Sequence, residues 1–583
     1  VKNRPLASIC CLFFAHCVLA GGLFPNGDSF SARTNDLVLF LRPLPPPVQT
    51  RNVVPLSPGE QLGKEIFFDH TLSDPKGYAC ATCHIPQSGF TGPSSLVNIL
   101  DGPVPGVIPG RFGRRKPQPI PYATFSPAGP YLDTTAQTYL GGDFWDGRAP
   151  DTATQARMPF LDQNEMANTP MGPYPPHAGG YSPLVAEKIK DRPYTPLFQK
   201  VFGRDVFDTS TDEQIYDLVT EAISMYEASP EINQFSSKFD ASTNGTPGTN
   251  LYTFTASEEN GMNLFFGKAQ CFQCHSAAGL EPVTQATQGK ETFTMYCYAN
   301  IGVPPNPDNL YYDQTNCDSN PEGCNALGTN YIDYGLGANP NPAPDGTVFM
   351  NDIPGDIQQF RGLFKAPSLR NVDLRPYPGF VKCYMHNGVF KSLEEVVHFY
   401  NKRNIATNAE GVEMAFSLSG PPPAGFTPIF PPPEDLDNVQ NIAGFTPAQF
   451  ASLPPPPDVA QVNNGESEIP INGQVGNLQL TAQEETDLVN FLKTLTDGYT
   501  RPNPVTAAPG SPLLTVLPPQ TTSGQFVVQL IGEIGQLYIV QTSSNLTTWL
   551  PVSTNLITGP FLTITNTPIA GATQQFWRAV PEL

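Results

Sequence analysis

This 583-residue chain is poor in charge: only 15% of its residues are Asp, Glu, Lys or Arg. Basic residues are the scarcer kind, 32 against 53 acidic, and the net charge of −21 argues against nucleic acid as a partner, since a phosphate backbone needs a basic surface. It favours instead a basic or neutral partner. Long apolar runs are also missing. The run from Leu6 to Ala20 is too short for a comfortable membrane span and no later segment is apolar enough, so no integral membrane span is expected. Lys2 and Arg4 ahead of that run, with Val18-Leu19-Ala20 and then Gly21, read as a secretory signal peptide over 1–20. What is abundant is 65 Pro and 50 Gly, which implies long irregular connections. The length fits three or four domains.

Cys and His number only 11 and 7, yet Cys80-Ala81-Thr82-Cys83-His84 recurs in form as Cys271-Phe272-Gln273-Cys274-His275. Two thiols at that spacing reach the two vinyl groups of one porphyrin, and the adjacent His supplies a nitrogen to iron. The expectation is two covalently bound haem c groups, with His84 on the first iron and His275 on the second, in a redox protein. Because c-type attachment in bacteria happens outside the cytoplasm, a periplasmic or extracellular location is expected. Three further Cys fall in the signal segment. Of the four that remain, Cys317 and Cys324 suit a short disulfide loop, and Cys297 with Cys383 is the leftover pairing.

The fold expected is two mainly α haem domains, cytochrome-c-like, followed by a small all-β sandwich. The boundaries read as 1–20 signal, 21–54 arm, 55–240 first haem domain, 241–501 second haem domain and 502–583 β domain. Ser57-Pro58-Gly59-Glu60 is a capping box with Pro at the first helical position. Helices are expected from it through Phe67, over about Thr211–Ala228 and Ser257–Phe266, and over Thr481–Leu495. Segments near 303–355 and 418–475, rich in Pro, Asn and Gly, read as loop insertions. Strands are expected at Phe526–Leu530, Leu537–Gln541, Phe561–Thr565 and Phe576–Arg578. Tyr538-x-Val540-Gln541, Asn545-Leu546-x-x-Trp549 and Phe576-Trp577-Arg578-Ala579 resemble the β-sandwich modules appended to many secreted bacterial proteins.

Between and after the haem motifs stand Phe144-Trp145-Asp146-Gly147-Arg148-Ala149, Gln155, Pro159, Asn164-Glu165-Met166, Asn300-Ile301-Gly302, Pro367-Ser368-Leu369-Arg370-Asn371-Val372 and Tyr384-Met385-His386-Asn387-Gly388. Over roughly residues 55–500 this closely resembles the bacterial dihaem cytochrome c peroxidase and MauG family. The resemblance implies a peroxide-reacting haem in the first domain and an electron-transferring haem in the second. It places Glu165 as the catalytic acid-base residue, Gln155 as its polar companion, Pro159 on the distal wall and Trp145 as a relay between the haems. No His occurs between His84 and His177, which suggests a first iron whose distal side is free; His70 is the substitute ligand to consider. On the helix after the His-Asn-Gly turn, Tyr400 stands where the peroxidases carry a Met ligand, so it is the expected second ligand of the His275 iron, with Met385 as competitor. Ser392 and Glu395 read as a capping box for that helix, and Tyr400 also suits its apolar face.

The partners implied are H2O2 and a small cytochrome c or cupredoxin, or else an oxidised substrate protein. Ca2+ between the haem domains is a further cofactor of the family, without assignable ligands in this sequence. Two other functions fit the same motifs: a dihaem oxygenase of the rubber-cleaving type, and a pure electron-transfer protein with both irons saturated by strong ligands.

Overall fold

The computed structural model describes residues 55–498, except 134–137, 173–178, 244–253, 276–290, 318–322, 342–348, 350–359, 417, 419–420 and 436–474, together with six strands within 513–581. The signal peptide and arm read over 1–54, most of the second loop insertion and His177 lie outside the described residues. The chain falls into two compact units, Val1–Tyr499 and Thr500–Leu583.

Six helices of ten residues or more, among the described residues, frame the first unit: α1 Pro58–Phe67, α2 Thr152–Leu161, α3 Asp212–Glu227, α4 Ala256–Phe266, α5 Leu393–Lys402 and α6 Ala482–Lys493. Reciprocal capping boxes open four of them, Ser57 with Glu60, Thr211 with Gln214, Thr255 with Glu258 and Thr481 with Glu484. Each satisfies two N–H groups that the first turn leaves without a helical acceptor. The box expected on α5 forms only by half. Ser392 Oγ accepts the Glu395 N–H at 3.1 Å, but the Glu395 carboxylate takes the Lys391 N–H at 2.5 Å, one residue earlier than a box requires.

The helices bury two separate apolar cores. One gathers Leu62, Ile66 and Phe67 of α1, Phe160 and Leu161 of α2, and Ile215, Val219, Ile223 and Tyr226 of α3. The other gathers Leu264 and Phe265 of α4, Leu393, Val397 and Phe399 of α5, and Leu488, Phe491 and Leu492 of α6. The two halves are built alike. A Cβ on Gly63 would run into the Ala222 carbonyl of α3, and a Cβ on Gly261 into the Asp487 carbonyl of α6, so each pair of helices crosses at a glycine. Ser57-x-x-Glu60-x-x-Gly63 and Thr255-x-x-Glu258-x-x-Gly261 are one pattern used twice, each leading toward a haem motif on a single helical turn, Cys80–Cys83 and Phe272–His275.

The insertion after 303 is built from three short 3-10 turns, Leu310–Asp313, Gly328–Asn330 and Leu336–Ala338, and from the expected Cys317–Cys324 disulfide. The leftover pairing fails: Cys297 and Cys383 are both buried and unbridged. Cys383 Sγ lies against Asn98 Oδ1 at 3.4 Å, whereas Cys297 packs with Cys274 and Leu140. No described helix is long and apolar enough to cross a membrane.

The second unit consists of strands β1 Leu513–Leu517, β2 Phe526–Ile531, β3 Leu537–Ser543, β4 Leu550–Leu556, β5 Leu562–Asn566 and β6 Phe576–Pro581. They form two antiparallel sheets of order β4-β3-β6 and β5-β2-β1. Leu530 and Ile564 of one sheet share an apolar cluster with Tyr538 and Val540 of the other. Strands β1 and β4 were not expected. In β4, Leu550, Val552 and Leu556 fall on alternate positions, but Pro551 within the run argues against a strand and all three apolar side chains are exposed.

Candidate active site

Two large cavities open beside the haem motifs, of about 1470 Å³ at Cys80, Cys83 and His84 and about 1720 Å³ at Cys271, Cys274 and His275, counting their mouths. His84 Nδ1 lies 2.9 Å from the Phe90 carbonyl and His275 Nδ1 3.3 Å from that of Phe293. A proton held on Nδ1 in this way leaves Nε2 as the ligating nitrogen. Burial pushes both imidazoles down to about 4, so each is neutral, the form that binds iron.

The first cavity also receives Gln155, Pro159 and Glu165. Asp151 caps α2, its Oδ1 accepting the Thr154 N–H at 2.7 Å. Pro159 has no N–H, so the Gln155 carbonyl one turn back lacks its helical bond. Glu165 follows α2 and is fixed by its backbone: its N–H donates to the Asp162 carbonyl at 3.0 Å and its carbonyl accepts the Val107 N–H at 2.8 Å. Burial first, and the Asp162 charge second, push the Glu165 carboxyl up to about 8, against the pull of Arg148 and Arg114. At neutral pH this cavity therefore contains a proton-loaded acid.

The second cavity has a different wall. Tyr400 of α5 and Met385 both line it, so each expected ligand candidate is in the right chamber. Burial, then the neighbouring Cys274 and Cys271 thiols, push the Tyr400 phenol upward, while Arg403 pulls it down. His386, also on this wall, is 3% exposed and stacks on Phe364 with ring centroids 3.6 Å apart. Neither of its ring nitrogens has a hydrogen-bond partner. The Glu434 carboxylate, 3.4 Å from Nε2, is not aligned for one. A buried imidazole left open toward the cavity suits a chamber completed by a polar-edged cofactor such as haem.

Trp145 lines both cavities. Its indole N–H donates to the Lys116 carbonyl at 2.9 Å and its own carbonyl accepts the Lys365 N–H at 2.8 Å. The turn that carries it needs glycine at Gly147, where φ is +70° and a Cβ would run into the Tyr298 hydroxyl. Beside it Arg115 binds Asp146 at 2.7 Å and grips Asp333 at 2.5 and 2.6 Å. Burial works to raise Asp146, but Arg115 and Arg148 hold it below the usual carboxylate range.

Sequence reasoning missed several groups on the first cavity: Arg114, Asp162 and Glu227, and the charge of Arg148, quoted only as part of a motif. The run Arg114-Arg115-Lys116, in a chain this short of basic residues, was the available signal for the first. Glu227 had none, because it ends an amphipathic helix; burial and then Asp143 push it up to about 8. His70 is exposed, with Nδ1 3.1 Å from the Gly77 carbonyl, away from the cavity. Among the described residues no three His, Cys, Asp or Glu converge to hold a free metal ion.

Residues 57–247 match the family model for di-haem cytochrome c peroxidase. The methylamine utilization protein MauG of Paracoccus denitrificans is 34% identical over 342 residues, 58% of this chain and 73% of MauG. The cytochrome c551 peroxidase of Nitrosomonas europaea is 28% identical over 381 residues, 64% of this chain and 83% of that protein. In three dimensions the chain is similar to a crystallised variant of the diheme peroxidase BthA from Burkholderia thailandensis, with TM-score 0.51 and 26% identity over 77% of this chain and 88% of that one.

Proposed function

We propose, for a chain that belongs to the di-haem cytochrome c peroxidase family, a MauG-like division of labour: peroxide reacts in the first cavity under Glu165 and Gln155, and electrons reach it from the second cavity by way of Trp145. The enzyme is a dihaem peroxidase, and its reaction consumes H2O2, two electrons and two protons to give two waters. The haems supply peroxide binding and the one-electron steps. Cys80 with Cys83, and Cys271 with Cys274, hold them through thioethers, and His84 and His275 ligate the irons.

Glu165 would give its proton to the oxygen that departs and take one back from the oxygen that stays, with Gln155 orienting the peroxide. Its high proton affinity keeps the delivered proton at hand in the cavity. Tyr400 would supply the second ligand at the His275 site. An anionic oxygen there favours the oxidised metal and makes the second cavity a store of oxidising equivalents as well as a relay. The acidic chain suits a basic small cytochrome c, a cupredoxin or an oxidised substrate protein as electron source, and a periplasmic or extracellular location. The second unit contributes attachment or stability and no chemistry.

The observation that carries this reading is an asymmetry: an acid with its proton lines the first cavity, a tyrosine and a methionine line the second, and one indole lines both. Electron paramagnetic resonance of the ferric protein tests it. One high-spin and one low-spin signal, with the high-spin signal lost on adding H2O2, is the expected result. Two low-spin signals indifferent to peroxide would make the chain an electron carrier. Trp145→Phe should keep both signals and slow electron exchange between the haems.

A further inference from the structure

The family expectation puts a calcium ion between the haem domains, and a cluster of main-chain oxygens that joins the two halves is already bound. The carbonyl of Ser88 from the first half and those of Asn371 and Leu374 from the second close on one atom, Lys382 Nζ, at 2.8, 3.2 and 3.0 Å. Beside it Lys116 Nζ lies 2.5 Å from Thr91 Oγ1 and 3.3 Å from the Pro117 carbonyl. The Val381 carbonyl is taken by Asn98 Nδ2 at 2.8 Å, and Asp373 is committed to Arg375. Calcium needs about six to eight oxygens at roughly 2.3–2.6 Å. Here it would meet carbonyls that already have the Lys382 ammonium among them, with a second buried lysine, Lys116, bound to Thr91 and Pro117 nearby. The donor set does not fit the ion.

We propose that Lys382, with Lys116 beside it, is a tethered cation that stands in for a bound divalent ion at this junction and joins the two haem halves without metal. An ammonium group has three N–H donors, and three carbonyls from both halves receive them. Both lysines are buried, Lys382 2% exposed and Lys116 7%. Burial first, and then Lys116, push Lys382 down to about 7, with Arg375 acting in the same sense and Asp373 and Cys383 against it. Only the charged form donates to all three carbonyls at once. The junction also reaches the redox path. Lys116 accepts the Trp145 indole N–H with its carbonyl and donates its own N–H to the His386 carbonyl at 2.8 Å, which places its backbone between the shared indole and the second cavity.

The inference concerns how the halves are joined and stands whether or not Trp145 carries electrons. The test uses holoenzyme with both haems loaded. Elemental analysis should find no stoichiometric calcium, and treatment with EGTA or added CaCl2 should leave the ferric spectra and the thermal midpoint unchanged. Lys382→Met, which keeps the length of the chain but removes its donors, should lower the midpoint and disturb inter-haem exchange, and added Ca2+ should not restore either. Stoichiometric calcium in the parent, released by EGTA with a change in spectra or midpoint, would overturn the proposal. So would a Lys382→Met protein with the parent's midpoint and exchange. If that variant does not fold, the parent's metal content and its response to EGTA decide the matter alone.

Discussion

The two haem-binding halves of the first unit share a scaffold and differ in what they offer to a cofactor. Each begins with a capped helix that crosses a longer one at a glycine, and each presents a Cys-x-x-Cys-His motif at a cavity edge. The scaffold fixes where a haem sits. In the proposed reading the chemistry differs with the residues that line each cavity: Gln155 and Glu165 brought in by α2 and its following turn on one side, Tyr400 of α5 and Met385 on the other. A duplicated helical frame thus presents two differently lined chambers, which the proposed function reads as one reactive and one conducting.

The sharpest way to break that contrast is to deprive Glu165 of its transferable proton. Glu165→Gln should retain both haems and slow peroxide turnover by roughly 10²–10⁴, the range expected for loss of a positioned acid-base group. In the parent, turnover should fall as pH rises through about 8, where Glu165 loses its proton, and the variant should lack that limb. Linkage gives a second readout. The folded pKa of Glu165 lies above its ordinary value of 4.5, so the parent loses stability as pH climbs from that value toward 8. Denaturant midpoints measured across this window should therefore decline less in the variant. A flat turnover profile in the parent would remove Glu165 from proton delivery.

The second cavity is tested by Tyr400→Met. A thioether favours the ferrous metal, so the swap should raise the reduction potential of the His275 haem and shorten the life of the oxidised protein after peroxide, with the first haem unaffected. The side chains are close in size, so folding should survive. Redox titration with optical detection distinguishes the outcomes. An unchanged potential would leave Tyr400 as a core residue of α5 and bring Met385 forward.

The common frame is tested by Gly63→Ala and Gly261→Ala. Each puts a methyl group against a main-chain carbonyl of the crossing helix, and each should destabilise by about 1–3 kcal/mol as an overpacked contact. Urea midpoints of the pair should fall together. If one falls and the other does not, the halves are less alike in packing than their sequences suggest.

These glycines also show what kind of information the sequence carried openly. Haem motifs, the Ser57–Glu60 capping box and the apolar faces of α1, α3, α4 and α6 are local patterns, and the elements they predict appear where expected. Gln155, Pro159 and Glu165 could be brought to one cavity only through the family resemblance, since they share no periodicity that sets them apart from an ordinary helix and turn. What stayed hidden is non-local. Lys382 finds its acceptors at Ser88, Asn371 and Leu374, and Arg115 bridges Asp146 and Asp333; no spacing in the chain announces either. The α5 capping box failed for a subtler reason, because two adjacent N–H groups competed for the Glu395 carboxylate. Cys297 and Cys383 were paired by elimination, and elimination has no geometry.

The smallest effect is expected from the largest deletion. The second unit is a compact body with its own apolar cluster of Leu530, Tyr538, Val540 and Ile564, and no cavity-lining residue of either haem site lies beyond Leu492 among the described residues. Ending the chain after Tyr499 should therefore leave haem content, ferric spectra and peroxide turnover at the parent's level. Solubility or attachment to a surface is where a difference should surface, if the strand β4 with its exposed Leu550, Val552 and Leu556 has a partner outside the chain. A truncated protein that stays folded with both haems yet reacts more slowly with peroxide would show that the two units are not independent in function. The contrast between the two cavities would then have to be redrawn to include the β unit.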